Sequence, residues 1–406
     1  MSKIKNYFPA IDGLRLMASV NIVFLHLASS SAFDYAAKWT WLKPIVSGPA
    51  FSAGLFFVLA GFLFASKFSD PERQIPVLPF MFSRISKLYR LHFICTILMF
   101  SAIAVKLGGL DKMEHPIRSL FLHLSLLWSL VPDLGMKLNE PSWALTGFFI
   151  CYAITPYTCK KLFQIKSVKL LWTLFILIFI PGIIQGIIFG AHDFLGQEDY
   201  ESRFRFFHMF PVIHICEYIF GMIIYRLYQE RQFSFLEKNY TAGICQFLLF
   251  VALYFVCYVS QNYVSNPTLY FITRHSPTIL ISGLFIMSLI PGKGFLARFF
   301  CIPIIRTIGR ASFYPYLLHL PFITIGWGIC NMNSPKATLG LLLILYTLSP
   351  LYLAFKTKRR KRKLAKMDAA TLELFQESLL KRIIEHKHFF VLSKTNINVF
   401  LILCDF

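Results

Sequence analysis

Apolar runs of about 20 residues recur along the whole chain, and this recurrence decides what the chain can fold into. Runs of that length and apolarity read as membrane-spanning helices and not as the core of a soluble domain. Composition agrees: 56% of the 406 residues are apolar and only 15% are charged, against about 25% charged in soluble domains. The expected fold is all-α, a polytopic integral membrane protein.

The basic residues then set the count of crossings. Lysines and arginines concentrate in cytoplasmic loops. Spans are expected at about 14–32, 46–66, 91–107, 142–159, 168–190, 207–228, 240–260, 277–291, 312–330 and 338–356. The run 117–131 is short for a crossing and long enough for an interfacial or re-entrant segment. If it does not cross, there are ten spans and both termini are cytoplasmic. Every basic cluster then lies inside: 67–90, 160–169, 226–238, 293–310 and 356–363. If it crosses, the later clusters fall outside, so ten spans are preferred. The first apolar run lacks a small-residue cleavage site and reads as a retained span. Two units follow: a membrane domain over 1–356, and a basic cytoplasmic tail over 357–406 to which the sequence gives no role.

A net charge of +21 would suggest nucleic acid if it lined a soluble surface. Here the charges flank apolar runs, so cytoplasmic loops and anionic lipid headgroups explain them and no nucleic-acid partner is expected. The run KTKRRKRK at 356–363 reads the same way. Nine cysteines without paired spacing read as small core residues; neither a disulfide framework nor a metal site is expected.

The first span, YFPAIDGLRLMASVNIVFLHLASS, carries Arg15 and His26. Eleven residues at about 100° each return to within about 20° of the starting direction, with a rise of about 16 Å. Both therefore share one helix face. Ionisable groups at membrane depth are costly and point to function. The bland alternative has Arg15 reaching the headgroups and His26 bonding a neighbouring helix.

Further polar groups stand inside or beside apolar runs. Ser142, Trp143 and Tyr152 mark a span start, where aromatic residues also serve as interfacial anchors. His214 and Glu217 lie three apart, on neighbouring helix positions, and suit a structural ion pair as well as a site. Ser312, Tyr316 and His319 surround a later span start. SRISKLYRLHF at 83–93 presents Arg84 and Lys87, which a solvated cytoplasmic loop would also explain.

Five of these stretches, in order over about residues 7–322, resemble the membrane-bound acyltransferases called acyltransferase family 3. IDGLRLMASVNIVFLH resembles the opening signature, whose Arg and His fall on Arg15 and His26. GLFFVLAGFLFAS resembles the FFxLSGF segment, with Ala60 where Ser is common. SRISKLYRLHF resembles the R-x-x-R-I-x-P edge, with Arg84 matching, Lys87 for Arg and Arg90 for Pro. FPVIHICEYIFG carries Glu217 and Gly221 of a fourth segment, and GRASFYPYLLHLP carries Ser312, Tyr316 and His319 of a fifth. One position departs: where W-S-L-x-x-E is common, Phe148 replaces Glu.

The resemblance implies ten core spans in a bacterial inner membrane. It also implies transfer of an acyl group, usually acetyl, from cytoplasmic acyl-CoA as co-substrate to a hydroxyl of a glycan or lipid-linked sugar. No tightly bound cofactor is implied. On that reading His26 is the general base. Arg15, always charged and forked, binds the donor. Glu217, His319, Tyr316, Ser312 and Trp143 line the site, and Arg84 and Lys87 hold CoA phosphates. A transporter or flippase for a sugar or lipid-linked glycan is the rival reading, since polar groups inside spans suit transport equally well. Against it, the chain shows no repeated halves and no paired broken spans. A scaffold acting through its basic tail leaves Arg15, His26 and Glu217 unexplained. Oligomeric state, acyl group and acceptor are open.

Overall fold

The computed structural model describes residues 7–28, 49–70, 72–73, 75–131, 137–190, 208–262, 266–330 and 334–365. Lys3, Lys5, the stretch 191–206 and the tail after 365 lie outside the described residues. The elements among the described residues are helical. In chain order they are α1 (Pro9–Ala28), α2 (Pro49–Lys67), α3 (Val77–Leu107), α4 (Pro116–Leu124), α5 (Trp143–Gln164), α6 (Val168–Leu177) and α7 (Ile180–Gly190). Then come α8 (Pro211–Gln229), α9 (Asn239–Asn262), α10 (Pro267–Leu289), α11 (Phe295–Phe300), α12 (Pro303–Arg310), α13 (Phe313–Gly328) and α14 (Pro335–Ala365). Short 3-10 turns sit at Trp128–Leu130, Glu140–Ser142 and Ser234–Glu237. Five of the helical stretches are long and apolar enough to cross a membrane, with α6 and α7 counting as one. The chain is a multi-pass helical membrane protein.

Proline sets several boundaries. α4, α8, α10 and α12 each carry Pro in their first positions, where its missing N–H costs nothing. Prolines inside helices act differently. Pro277 lies within α10, so this helix is 23 residues long and starts well before the expected 277–291. α3 also exceeds expectation. Its 31 residues, about 46 Å at 1.5 Å per residue, run through the basic edge that the sequence suggested was loop. Phe80, Met81 and Arg84, three to four apart, turn that extension toward the bundle and are buried.

In the run 117–131, α4 has only nine residues, about 14 Å of helix, and is too short to cross a bilayer core by itself. The positive φ of His115 and Leu126 turns the chain at either end, so that α4 and the 3-10 turn Trp128–Leu130 form a short hairpin.

α2 and α8 form the centre of the molecule. A Cβ on Gly61 would strike the Tyr218 carbonyl, and one on Gly221 would strike that of Val58. This mutual glycine contact lets the two backbones touch, as membrane helices require when small residues drive packing. α1 packs against α2, and its Leu14, Ala18 and Ile22 are buried. α9 and α14 lie outside, presenting Phe247, Phe255, Leu343 and Phe355 to the surroundings.

Candidate active site

α1 and α13 run side by side in the same direction, in register. The Ser19 hydroxyl donates to the Ser312 carbonyl at 3.1 Å and pairs with the Tyr346 hydroxyl at 2.9 Å. Seven residues, two helical turns, further along each helix, His26 faces His319 with ring centroids 5.1 Å apart. The two histidines that the sequence marked 293 residues apart therefore meet.

The tautomer of His319 follows from its partners. Nδ1 lies 2.8 Å from the Tyr316 carbonyl and 3.2 Å from that of Pro315. A carbonyl only accepts, so Nδ1 carries the proton and Nε2 is a lone pair. That Nε2 is buried and has no hydrogen-bond partner among the described residues. A buried, unfilled acceptor beside a second imidazole is what a hydroxyl-bearing ligand fills.

The short hairpin closes one side. Its fold depends on His123, whose Nδ1 donates to the Ser119 carbonyl at 2.8 Å and whose Nε2 accepts the Leu138 N–H at 3.2 Å. Trp128 stacks on that ring at 4.6 Å and donates from Nε1 to Ser142 Oγ at 3.1 Å. Ser142 in turn donates to the Asn139 carbonyl at 2.7 Å. Two bonds fix the turn to α13. The Tyr316 hydroxyl donates to the Pro141 carbonyl at 2.8 Å, and Asn139 Nδ2 donates to the Leu317 carbonyl at 3.2 Å. That carbonyl is available because Pro321, four residues on, has no N–H to offer it. Ser142 and Tyr316, expected to line the site, thus hold its wall in place. Ser312 instead sets the register of α1 against α13, through its backbone carbonyl.

Arg15 lies two turns into α1. It keeps 36% of its side chain accessible between buried neighbours and approaches Asp12 at 3.7 Å. Asp12 is itself buried, accepts the Tyr7 hydroxyl at 2.7 Å and sits 4.0 Å from Arg310. Arg84 is buried on α3, over the faces of Phe64 and Phe80 at 5.2 and 5.6 Å. It is not a solvated loop residue. Arg15 and Arg84 both lie within electrostatic reach of Tyr152 on α5, so two guanidinium groups from separate helices converge there. Lys87 is half-buried, one turn along from Arg84.

Glu217 stands in a cluster that the sequence half-revealed. His214 Nδ1 meets Glu217 Oε2 at 2.7 Å, and His275 Nδ1 approaches Oε1 at 4.0 Å. His208 stacks beside them, 5.5 Å from His275. Trp143 packs on His214 at 4.6 Å and on His208 at 5.3 Å, so it lines this cluster. Phe57 stacks on His214 at 4.6 Å and on Phe148 at 4.3 Å. Phe148 therefore belongs to an aromatic stack. Reading along the sequence missed Asn139, Glu140, His208 and His275. The spacing of each had nothing to mark it, although Glu140 and His275 were visible as ionisable residues beside or within apolar runs.

An acyltransferase-domain model, that of acyltransferase family 3, matches residues 8–355. The chain belongs to that family. The match covers α1 through most of α14 and takes in both histidines and both arginines just described. Among relatives of this family member, the acyltransferase MdmB of Streptomyces mycarofaciens is 25% identical over 224 residues, 53% of this chain and 56% of MdmB. The O-acetyltransferase OatA of Staphylococcus aureus is 24% identical over 333 residues, 78% of this chain and 51% of OatA. The chain spans about half the length of these curated relatives. No solved structure matches it.

Proposed function

We propose that this family member transfers an acyl group, in the first instance acetyl, from cytoplasmic acyl-CoA to a hydroxyl of a cell-surface or lipid-linked glycan. The observation that carries the reading is the facing pair His26 and His319, with a buried Nε2 left unfilled. α1, α2, α3, α5, α6 with α7, α8, α9, α10, α13 and α14 make ten crossings, with both termini cytoplasmic and the membrane a bacterial inner membrane. Arg15 then lies toward the cytoplasm and His26 about 16 Å further out, by helical rise. Donor and acceptor reach the pair from opposite faces.

In this reading His26 is the general base. An alcohol is a weak nucleophile until its proton leaves as the new bond forms. His26 takes that proton while the hydroxyl oxygen attacks the thioester carbonyl. The carbon–sulfur bond then breaks and the proton passes to the departing thiolate. His319 Nε2 accepts a hydrogen bond from a neighbouring sugar hydroxyl. Arg15, with Arg84 and Lys87, holds the phosphates and pantetheine carbonyls of the donor, a task suited to forked, permanent charge. The OatA name supports an O-acetyl product, and the family supports acyl transfer.

Comparing glycans from cells carrying the parent chain, His26→Ala or Arg15→Ala, by mass and NMR, tests the reading. Each variant should lose at least about 100-fold of the acylation, in line with removal of a general base or charge clamp, at unchanged membrane levels. Full acylation by both variants overturns it.

A further inference from the structure

Glu140 opens the short turn Glu140–Ser142 and is partly exposed. Its neighbours on both sides are fixed to the stretch of α13 just below His319: Asn139 to the Leu317 carbonyl and Pro141 to the Tyr316 hydroxyl. Trp128 and Ser142 brace the same turn from behind. Trp128, Asn139, Pro141 and Ser142 thus spend polar groups on positioning, while among the described residues the Glu140 side chain takes no part in the brace. The carboxyl group lies within electrostatic reach of the His26 imidazole. His26 and His319 are two imidazoles 5.1 Å apart. Protonating one of them in a dry bundle is unfavourable unless an anion stands near.

We propose that Glu140 is a positioning residue for His26, its carboxylate orienting the imidazole and stabilising the imidazolium formed during transfer. This rests on His26 being the base. As the hydroxyl oxygen bonds to the acyl carbon, its proton moves to His26 and the ring becomes cationic. Glu140 offsets that charge until the carbon–sulfur bond breaks and the proton leaves with the thiol of CoA. The turn at Glu140–Ser142 is then a device for delivering one carboxylate beside His26, and its hydrogen bonds satisfy the polar groups of a non-helical segment held against α13.

The test uses the full-length chain in lipid nanodiscs, with acetyl-CoA as donor, glycan extracted from parent cells as acceptor, and CoA release as readout. Glu140→Gln keeps the shape and removes the charge. It should lower kcat by about 10- to 100-fold, a share of the effect of a general base, with the KM for acetyl-CoA and the melting temperature unchanged. Glu140→Asp should recover part of the loss. Combining Glu140→Gln with His26→Ala should cost no more than His26→Ala alone, because residues acting through one group are not additive. Parent-like turnover in Glu140→Gln, with His26→Ala inactive, overturns this inference and leaves the base assignment standing. Equal losses in Gln and Asp variants with lowered melting temperatures also overturn it, in favour of a structural role. Full turnover in His26→Ala removes the base assignment and this inference with it.

Discussion

The proton count at Glu217 is fixed by its neighbours. His214 Nε2 lies 2.8 Å from the His208 carbonyl, so it must carry a proton. Nδ1 then shares a single proton with Glu217 Oε2 across 2.7 Å. Both residues are buried. Removing one partner of such a pair leaves the other stranded, at a cost of about 3–5 kcal/mol. Glu217→Gln avoids this, since the amide N–H donates to the bare Nδ1 of a neutral His214. We expect Glu217→Gln to melt within a few degrees of the parent and Glu217→Ala to melt far lower, followed by thermal unfolding in nanodiscs. Equal losses would mean that the pair does not form. The neighbouring Phe148 shows the same physics from the other side. Stacked on Phe57 at 4.3 Å and on Tyr152 at 6.0 Å, it fills with an apolar ring a setting in which a carboxylate would need a donor or a proton.

Helices were legible where one property repeats, and obscure where a single bond decides. The apolar runs located α1, α2, α5, the pair α6 and α7, α8, α9 and α13 to within about five residues, because membrane helices answer mainly to length and hydropathy, whereas α14 continues through the basic run to Ala365. The shared face of Arg15 and His26 followed from helical geometry alone. The meeting of His26 with His319 was not legible, since it depends on a register between α1 and α13 set by Ser19 and Ser312. The extension of α3 through a basic edge was missed because its charges suggested solvent, while Arg84 is in fact held over two phenyl rings. The run 117–131 was recognised as short, but the turn at Asn139–Ser142 was not recognised as a wall, since its bonds reach α13 178 and 175 residues away. The α2–α8 contact yields a prediction of its own. Gly221→Ala places a methyl group against the Val58 carbonyl and the Phe62 N–H, both backbone, so no side chain can yield. The helices must separate, at a cost of about 1–3 kcal/mol. Lowered membrane levels and an earlier melt are expected, whereas Gly340→Ala, with open space around it, should match the parent. A parent-like Gly221→Ala would show that α2 and α8 pack less closely than this.

For the whole molecule, donor and acceptor access depends on which ends of the helices face which compartment. The ten crossings proposed above would put the turns after α3 and α13 on the outer side and the turn between α2 and α3 on the cytoplasmic side. The chain supplies a probe for this. Cys330, directly after α13, is exposed, while Cys95, Cys151, Cys159, Cys216 and Cys257 are buried. A membrane-impermeant maleimide applied to sealed spheroplasts should label Cys330, and Cys330→Ser should abolish that signal. In the Cys330→Ser background, Glu114→Cys should restore outside labelling, because Glu114 is exposed in the turn between α3 and α4. Glu72→Cys, exposed between α2 and α3, should react only after the membrane is opened. The placement matters for the chemistry. If Cys330 and Glu72 report the same side, Arg15 and His26 no longer face opposite compartments along α1. The thioester and the hydroxyl would then have to enter from one face. If they report opposite sides, the roughly 16 Å between Arg15 and His26 becomes the path along which a charged cytoplasmic donor delivers its acyl group to an acceptor held outside.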